Sequence, residues 1–440
     1  MFKHSAVWNA QAEDSNPAGW ISPNEITLSN LIRQGIQPTP LLVCAGGTSS
    51  RCAGDGLWTV DLRHQHRQLF ISADEQEVEI GTGLSMDEVV KGLKTRGLSI
   101  PVGLSTVPGC GFILTGGIGP LSRSKGLALD QVVGLKGVWG NGQIFNLSLP
   151  STERAERVSI QSDDVSRKQW RGLLGAAPFL AFVTAIRLRT QTLTPLAVWR
   201  SVCTTEQLAI AIEVAERWTN SCSLQWAWNE RTELFVVCCA DDSPAMKAME
   251  LLRTLLGSTA ESSLTIVAGQ FEQPDFGTLA RVPSKTARFH SEVISRLGPA
   301  WGQQLRSLIA ELNQLMSVRP HPGCQICAQQ LGQMSSQVSV LNTSFIHRDA
   351  IWKPWITAAW TAGDNAGREL ALQWLLRVNT VLTQSCPGVH LAQIHPHLSF
   401  HEKELDEAFQ DWLPGLKQLK THFDPDGLLP PLTSSPETAS

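Results

Sequence analysis

Two glycine-rich segments have the residue types and spacing to bind an anion through the backbone. The first is 45–50 (AGGTSS), and the second runs from 101 to 119 and contains GCG and TGGIG. Glycine tolerates positive φ and close ligand approach, and successive backbone N–H groups in such turns form anion-binding concavities. Serine and threonine hydroxyls add donors without positive charge. Two such turns in one domain would suit a diphosphate flanked by large ring systems.

The spacing of these glycines argues against two common phosphate-binding loops. The chain has no GxxxxGK[ST], and neither segment gives GxGxxG between a strand and a helix with a downstream acid. A P-loop and a Rossmann dinucleotide site are therefore not expected. The predicted ligand contacts in the two segments are Ala45, Gly46, Gly47, Thr48, Ser49, Ser50, Ser105, Gly109, Gly111, Thr115, Gly116, Gly117 and Gly119.

The amino-acid composition argues against some classes of protein. The chain has 440 residues, is 42% hydrophobic and carries a net charge of −4, so it can bury large cores but has no excess of basic residues for nucleic acid. No run of 18 apolar residues occurs, and the N-terminus lacks an apolar signal region. We predict a cytoplasmic protein with no membrane span and no nucleic-acid partner.

The 10 cysteines are scattered and are expected to be free thiols in a reducing compartment. Cys324 and Cys327 form a CxxC with His321 three residues earlier. A zinc site normally needs a fourth ligand, and none stands out in the sequence. No metal site is predicted.

Local patterns predict the elements that position the glycine segments. Residues 41–44 are expected to be a buried strand that runs into the first segment, and Ser85 with Glu88 is a capping-box signature for a following helix. Asn141-Gly142 predicts the turn of a hairpin. From about 196 strands and helices alternate without a repeat, and Thr204 again suits a helix start.

Several motifs together resemble a known family. GGTSS is followed by a predicted hairpin and helix, then by GGIGPLSRSKGLALD with Arg123, Gly126, Leu127 and Asp130, and the chain closes with LKTHFDPDGLL. This resembles the vanillyl-alcohol-oxidase (PCMH) type of FAD-linked oxidase, and within it the berberine-bridge-enzyme-like branch. The resemblance covers most of the chain, strongly at 40–150 and weakly at 230–330.

The resemblance implies a fold class and a cofactor. The fold would be α+β, with a PCMH-type FAD-binding domain of two α/β subdomains and an α+β substrate domain containing an antiparallel sheet. The implied domains are 1–195 for FAD, 196–385 for substrate, and 386–440 as a C-terminal segment returning to the FAD domain. FAD would lie with its pyrophosphate at 45–50, its isoalloxazine along 103–119 and its adenine beside Phe182 and Val183.

The chain departs from the family pattern at both covalent flavin attachments. Thr48 stands where many relatives have a flavin-linked histidine, and Leu104 and Ser105 stand where bicovalent relatives have a cysteine. FAD is therefore predicted to be noncovalent. The GGG-containing stretch before the adenine strand is reduced to LLGAAPFLA at 173–181, and the chain has no tyrosine.

Without tyrosine, a histidine is the best base by type for taking the proton of a substrate hydroxyl. His395 and His397 lie where relatives present substrate-contacting residues, and Arg348 beside His347 could bind an anionic substrate group. The alternative for Arg348 is a structural ion pair with Asp349 or another acid, and for either histidine it is a structural role with its hydrogen bonds satisfied.

The sequence thus predicts an FAD-dependent oxidoreductase acting on CH–OH groups. It would oxidise a hydroxyl-bearing small molecule by hydride transfer to flavin N5. The alternative is a catalytically degenerate FAD-fold protein that serves as a binding or assembly factor. The absence of flavin-attachment residues and of tyrosine favours this alternative. The substrate, the electron acceptor and the oligomeric state are not predicted.

Overall fold

The structure is a computed structural model that describes residues 7–432, except 38–39, 106, 150–159, 220, 258–260, 270–288 and 392–393. The elements before residue 195 are α1 (Ala10–Glu13), β1 (Gly19–Ile21), α2 (Glu25–Arg33), β2 (Leu42–Cys44), β3 (Trp58–Asp61), β4 (Leu69–Ile71), β5 (Glu77–Gly81), α3 (Met86–Lys94), β6 (Leu98–Ser99), α4 (Ser122–Lys125), β7 (Val132–Trp139), β8 (Ile144–Ser148), α5 (Ile160–Ala176), β9 (Ala181–Arg189) and β10 (Gln191–Thr192).

The elements after residue 195 alternate more regularly. They are β11 (Leu196–Cys203), α6 (Thr205–Ala215), β12 (Ser223–Trp228), β13 (Thr232–Cys239), α7 (Ser243–Leu256), β14 (Ser262–Val267), β15 (Phe289–Leu297), α8 (Leu305–Ser317), β16 (Gln325–Gln330), β17 (Trp352–Thr361), α9 (Asn365–Ser385), β18 (Gly388–His390), α10 (His401–Phe409) and α11 (Leu413–Phe423). No helix among the described residues combines the length and the apolar character needed to cross a bilayer.

The first part of the chain forms two principal sheets. One has three parallel strands in the order β1-β3-β2, and the other has five antiparallel strands in the order β4-β5-β9-β7-β8. The predicted hairpin turn at Asn141-Gly142 is confirmed between β7 and β8, with Gly142 at φ +80°. Glycine is favoured there because the loop has three residues between Trp139 and Gln143, and the last residue of such a loop takes positive φ.

The helix predicted after the first hairpin is α3, and its capping box is confirmed. The Ser85 side chain accepts from the Glu88 N–H while the Glu88 carboxylate accepts from the Ser85 N–H. Met86, Val89 and Leu93 are buried on one face of α3. This face packs into the cluster that also contains the second glycine segment, so the cap fixes the helix beside that segment.

The second part of the chain is built on one antiparallel sheet of eight strands in the order β14-β11-β13-β12-β16-β17-β15-β18. One face is covered by α6, α7, α8 and α9, whose apolar side chains form a tryptophan-rich core. The opposite face packs against Leu104 and Leu121 of the first part. The predicted α+β class with an antiparallel sheet is confirmed, and this sheet faces the second glycine segment.

The C-terminal region contributes to both parts of the molecule. β18 is the edge strand of the eight-stranded sheet, next to β15. Leu405, Phe409, Leu416 and Phe423 of α10 and α11 join the core of the first part. The proposed domain boundaries at 195 and 385 remain predictions.

Candidate functional site

The two glycine-rich segments touch each other directly. A Cβ atom on Gly46 would lie 2.0 Å from the backbone N of Gly109, and one on Gly109 would lie 2.5 Å from the carbonyl carbon of Ala45. Both distances are shorter than non-bonded atoms tolerate, so both positions require glycine. Gly47 adds a φ of +72°, which an L side chain would strain.

A cleft of about 1200 Å³, counted with the space open to solvent, opens at this contact. Its walls are apolar and come from 41–43, from 177–183, and from Leu391, Ile394 and Pro396. The cleft brings together residues predicted from both glycine segments and from β9. These are Ala45, Gly46, Gly47, Thr48, Ser49, Gly109, Gly111, Thr115 and Val183.

The other predicted contacts are Ser50, Ser105, Gly116, Gly117, Gly119 and Phe182, and they are not among the residues that line the cleft. A Cβ on Gly117 would lie 2.4 Å from the Ala128 Cβ, and one on Gly119 would lie 1.9 Å from the Val102 carbonyl oxygen. These two glycines allow close packing of the turn behind the cleft wall. Phe182 points into a buried cluster with Leu28 and Val138, whereas its neighbour Val183 lines the cleft.

The charge of the cleft suits an anion. Arg51 is the only charged residue among those described in its lining, which include no carboxylate. The Arg51 Nε has no hydrogen-bond partner among the described residues, and burial lowers the pKa of its guanidinium. A diphosphate between two ring systems needs backbone donors, a cation and apolar walls. The residues present supply all three.

His395 and His397 lie beside the cleft but do not line it, although Ile394 and Pro396 do. His395 is 1% exposed, and its Nδ1 is 2.9 Å from Glu404 Oε2. The His397 Nε2 is 2.8 Å from Glu292 Oε1. Burial lowers the pKa of His395, but the Glu404 and Glu292 carboxylates outweigh it and leave the pKa raised.

Arg348 is also away from the cleft lining. Its Nη1 lies 2.9 Å from an Asp130 carboxylate oxygen in a buried ion pair, and its Nη2 donates to the Thr343 hydroxyl at 2.9 Å. The structural ion pair left open by the sequence is therefore present, with Asp130 as the acid. The neighbouring His347 Nε2 is 2.9 Å from the Glu407 carbonyl oxygen.

Comparison with known proteins identifies the ligand class. Residues 33–148 match the family described as an FAD binding domain. This chain contains an FAD-binding domain. A sequence relative is the uncharacterized FAD-linked oxidoreductase YgaK of Bacillus subtilis (strain 168), 20% identical over 392 residues that cover 84% of this chain and 80% of the relative. The predicted FAD cofactor and the resemblance to FAD-linked oxidases are confirmed.

Solved structures show the same fold. Chitooligosaccharide oxidase matches with a TM-score of 0.78 at 15% identity, over 98% of this chain and 94% of the other. Berberine bridge enzyme from Eschscholzia californica matches with a TM-score of 0.77 at 18% identity, over 99% and 93%. These likenesses confirm the PCMH-type fold predicted from the glycine motifs.

A polar cluster beside the cleft was not predicted from the sequence. Gln225 of β12, Gln329 of β16 and Lys353 of β17 occupy paired positions on neighbouring strands, on the sheet face toward the FAD-binding domain. Ser295 of β15 and His390 of β18 form a second cross-strand pair on the same face. Polar residues at inward-facing strand positions could have indicated the cluster. The strands that carry them are far apart in sequence, so the sequence did not show that these residues meet.

His390 connects this cluster to the cleft. Its Nε2 lies 2.9 Å from the carbonyl oxygen of Thr115, which lines the cleft. A carbonyl only accepts, so Nε2 carries the proton and Nδ1 remains an acceptor. Burial and then the Lys353 charge lower the pKa of His390 to about 3, so the ring is neutral.

Among the described residues, no set of three His, Cys, Asp or Glu side chains is arranged to hold a metal ion. Cys324 and Cys327 are buried free thiols, and the Cys324 Sγ lies 3.6 Å from the Ala359 carbonyl oxygen.

Proposed function

We propose that this protein is an oxidoreductase that binds FAD without a covalent link and oxidises a hydroxyl-bearing small molecule. The observation that carries the proposal is the cleft at the contact of the two glycine segments, with Thr48 in its lining and no histidine among the lining residues that the structure describes. The oxidase names of the structural relatives support the reaction class.

The thiols near the cleft support the noncovalent state. The Cys110 thiol is fully buried and lies 3.5 Å from the Leu84 carbonyl oxygen rather than in the cleft lining. Burial holds the pKa of Cys110 far above its usual value, so a nucleophilic thiolate does not form there. Cys52 does line the cleft, but it is 2% exposed and hydrogen-bonds with Cys44.

Bound FAD supplies the hydride acceptor, and the chain must hold the proton that leaves the substrate hydroxyl. The His390 Nδ1 is the best-placed acceptor, because its Nε2 is committed to Thr115 at the cleft wall. We assign His395 and His397 a positioning role, since their bonds to Glu404 and Glu292 hold the 394–396 wall. Arg348 holds the turn at Asp130.

We propose that the protein is located in the cytoplasm and that its partner is a small-molecule substrate. All ten cysteines are free thiols, as a reducing compartment maintains them.

Flavin content tests the proposal. The purified protein should be yellow, acid precipitation should release all its flavin, and anaerobic substrate should bleach it. Gly46→Ala should weaken FAD retention by at least about tenfold, because its Cβ collides with Gly109. Gly35→Ala is the control, since its Cβ meets nothing within 4 Å and the strain of alanine at φ +79° arises outside the cleft lining.

The outcomes separate the alternatives. Flavin that stays with the precipitate would contradict the noncovalent link. A yellow protein that no alcohol reduces would favour the binding or assembly factor. A colourless protein that cannot be reconstituted, or equal FAD retention in the two variants, would overturn the placement of the site.

A further inference from the structure

Lys353 is a buried cation that has no counter-ion among the residues that the structure describes. The residue is 9% exposed, and no carboxylate of the described residues forms an ion pair with it. Its one hydrogen bond in the described structure is a long contact of 3.4 Å from Nζ to Gln329 Oε1. The Nζ also lies 4.6 Å from the Trp355 ring centroid. Buried charges are normally paired. The described residues supply no counter-charge for Lys353, so a bound anion would complete its environment.

The groups around Lys353 are also incomplete. Buried atoms without a hydrogen-bond partner among the described residues are Gln225 Oε1, Gln329 Nε2, Ser295 Oγ and His390 Nδ1. A buried polar atom without a hydrogen-bond partner destabilises the folded state. Four such atoms on neighbouring strands around one unpaired cation indicate a site for a polar ligand, because isolated packing defects would not converge on one face of one sheet.

The chemistry of the four atoms specifies the ligand. Gln329 Nε2 is a donor, Ser295 Oγ can donate, and Lys353 Nζ supplies positive charge and further donors. Gln225 Oε1 and the neutral His390 Nδ1 are acceptors. Two kinds of group are therefore required on one molecule: an anionic acceptor for the lysine side and a hydroxyl donor for the His390 side.

We infer that this cluster, made of Gln225, Ser295, Gln329, Lys353 and His390, binds a carboxylate and a hydroxyl of the substrate, which makes the substrate class a hydroxy acid. The inference rests on the proposed function, since it places the hydroxyl at His390 next to Thr115 of the FAD cleft. Lys353 and Gln329 bind the carboxylate.

The same arrangement links binding to proton acceptance. The Lys353 charge contributes to the low pKa of His390. A carboxylate bound at Lys353 neutralises that charge and makes the Nδ1 atom a better acceptor for the hydroxyl proton. A neutral alcohol would leave His390 a weaker acceptor.

The test uses matched acids and amides on the FAD-loaded protein, after its flavin content has been measured. Glycolate, mandelate and glucuronate are titrated calorimetrically beside their amides. At least one acid should bind about 30-fold or more tightly than its amide, as expected for loss of a buried charge partner. Lys353→Met should abolish this discrimination and still fold, because it removes an unpaired buried charge.

Lys136→Met is the matched control, since Lys136 pairs with Glu79 on the five-stranded sheet away from the cluster. The inference is overturned if no acid binds, if acids and amides bind equally, or if Lys353→Met keeps the discrimination. A protein that holds no FAD fails the flavin measurement first, which distinguishes failure of the proposed function from failure of this inference.

Discussion

At the residue scale, two buried cations of this chain differ in what neutralises them. Arg348 has the Asp130 carboxylate at 2.9 Å and further oxygen partners. Lys353 has one amide oxygen and one aromatic ring as partners, and the four buried polar atoms of its cluster lack a hydrogen-bond partner among the described residues. The first arrangement is complete without a ligand, which supports the structural role that we propose for Arg348. The second is incomplete, which makes Lys353 the stronger candidate for binding an anion.

The titration of Lys353 predicts how acid binding depends on pH. Burial lowers its pKa to about 8. The groups that face it, Cys327 and His390, stay neutral between pH 7 and about 9.5, because burial raises the thiol pKa and the His390 pKa is about 3. Raising the pH above about 8 removes the lysine charge, so the affinity for a hydroxy acid should fall about tenfold per pH unit.

Calorimetric titration from pH 7 to about 9.5 checks this expectation, and the Lys353→Met variant should show weak binding that does not change with pH. An affinity of the unmodified protein that stays constant over the same range would show that another group carries the charge.

At the element scale, local signals in the sequence predicted local structure well. The capping boxes at Ser85 and Thr204 and the turn at Gly142 depend on residues within four positions of each other, and all three are present. The polar cluster could not be found this way. Gln225, Gln329 and Lys353 meet only because β12, β16 and β17 pair in register, and no single strand reveals its neighbours.

Helix α3 offers a test of how an element supports the FAD site. Two backbone contacts link its N-terminus to the second glycine segment. Ser85 and Gly109 form an isolated antiparallel β-bridge, and the Met86 N–H donates to the Pro108 carbonyl at 2.9 Å. Ser85→Ala removes the cap and should lower the free energy of unfolding by about 1 kcal/mol. It should also weaken FAD retention, because Gly109 lines the cleft.

The matched control is Thr204→Ala at α6, which removes the same kind of capping box from a helix packed on the eight-stranded sheet. Urea unfolding should show a similar loss for both variants, while flavin release should change for Ser85→Ala alone. Equal flavin retention in the two variants would show that α3 does not support the second glycine segment.

At the scale of the whole molecule, one buried arginine joins the two parts of the chain. Arg123 of α4 is 3% exposed, and its guanidinium donates to the carbonyl oxygens of Cys222, Leu331 and Trp218 at 2.8, 2.6 and 3.1 Å. All three acceptors belong to the part of the chain that carries the eight-stranded sheet. Burial lowers the pKa of Arg123 to about 10, so it remains charged near neutral pH.

Arg123→Met should therefore destabilise the junction, because three buried carbonyls lose a charged donor and each such bond contributes about 1.5–3 kcal/mol. Ten of the 15 tryptophans lie after residue 195, so tryptophan fluorescence reports mainly on the sheet, and bound flavin reports on the cleft. In urea the two signals should coincide for the unmodified protein and separate for the variant. The control is Arg217→Met, whose side chain is 77% exposed. Coincident transitions in Arg123→Met would show that apolar packing, rather than this arginine, couples the cleft to the sheet that carries Lys353.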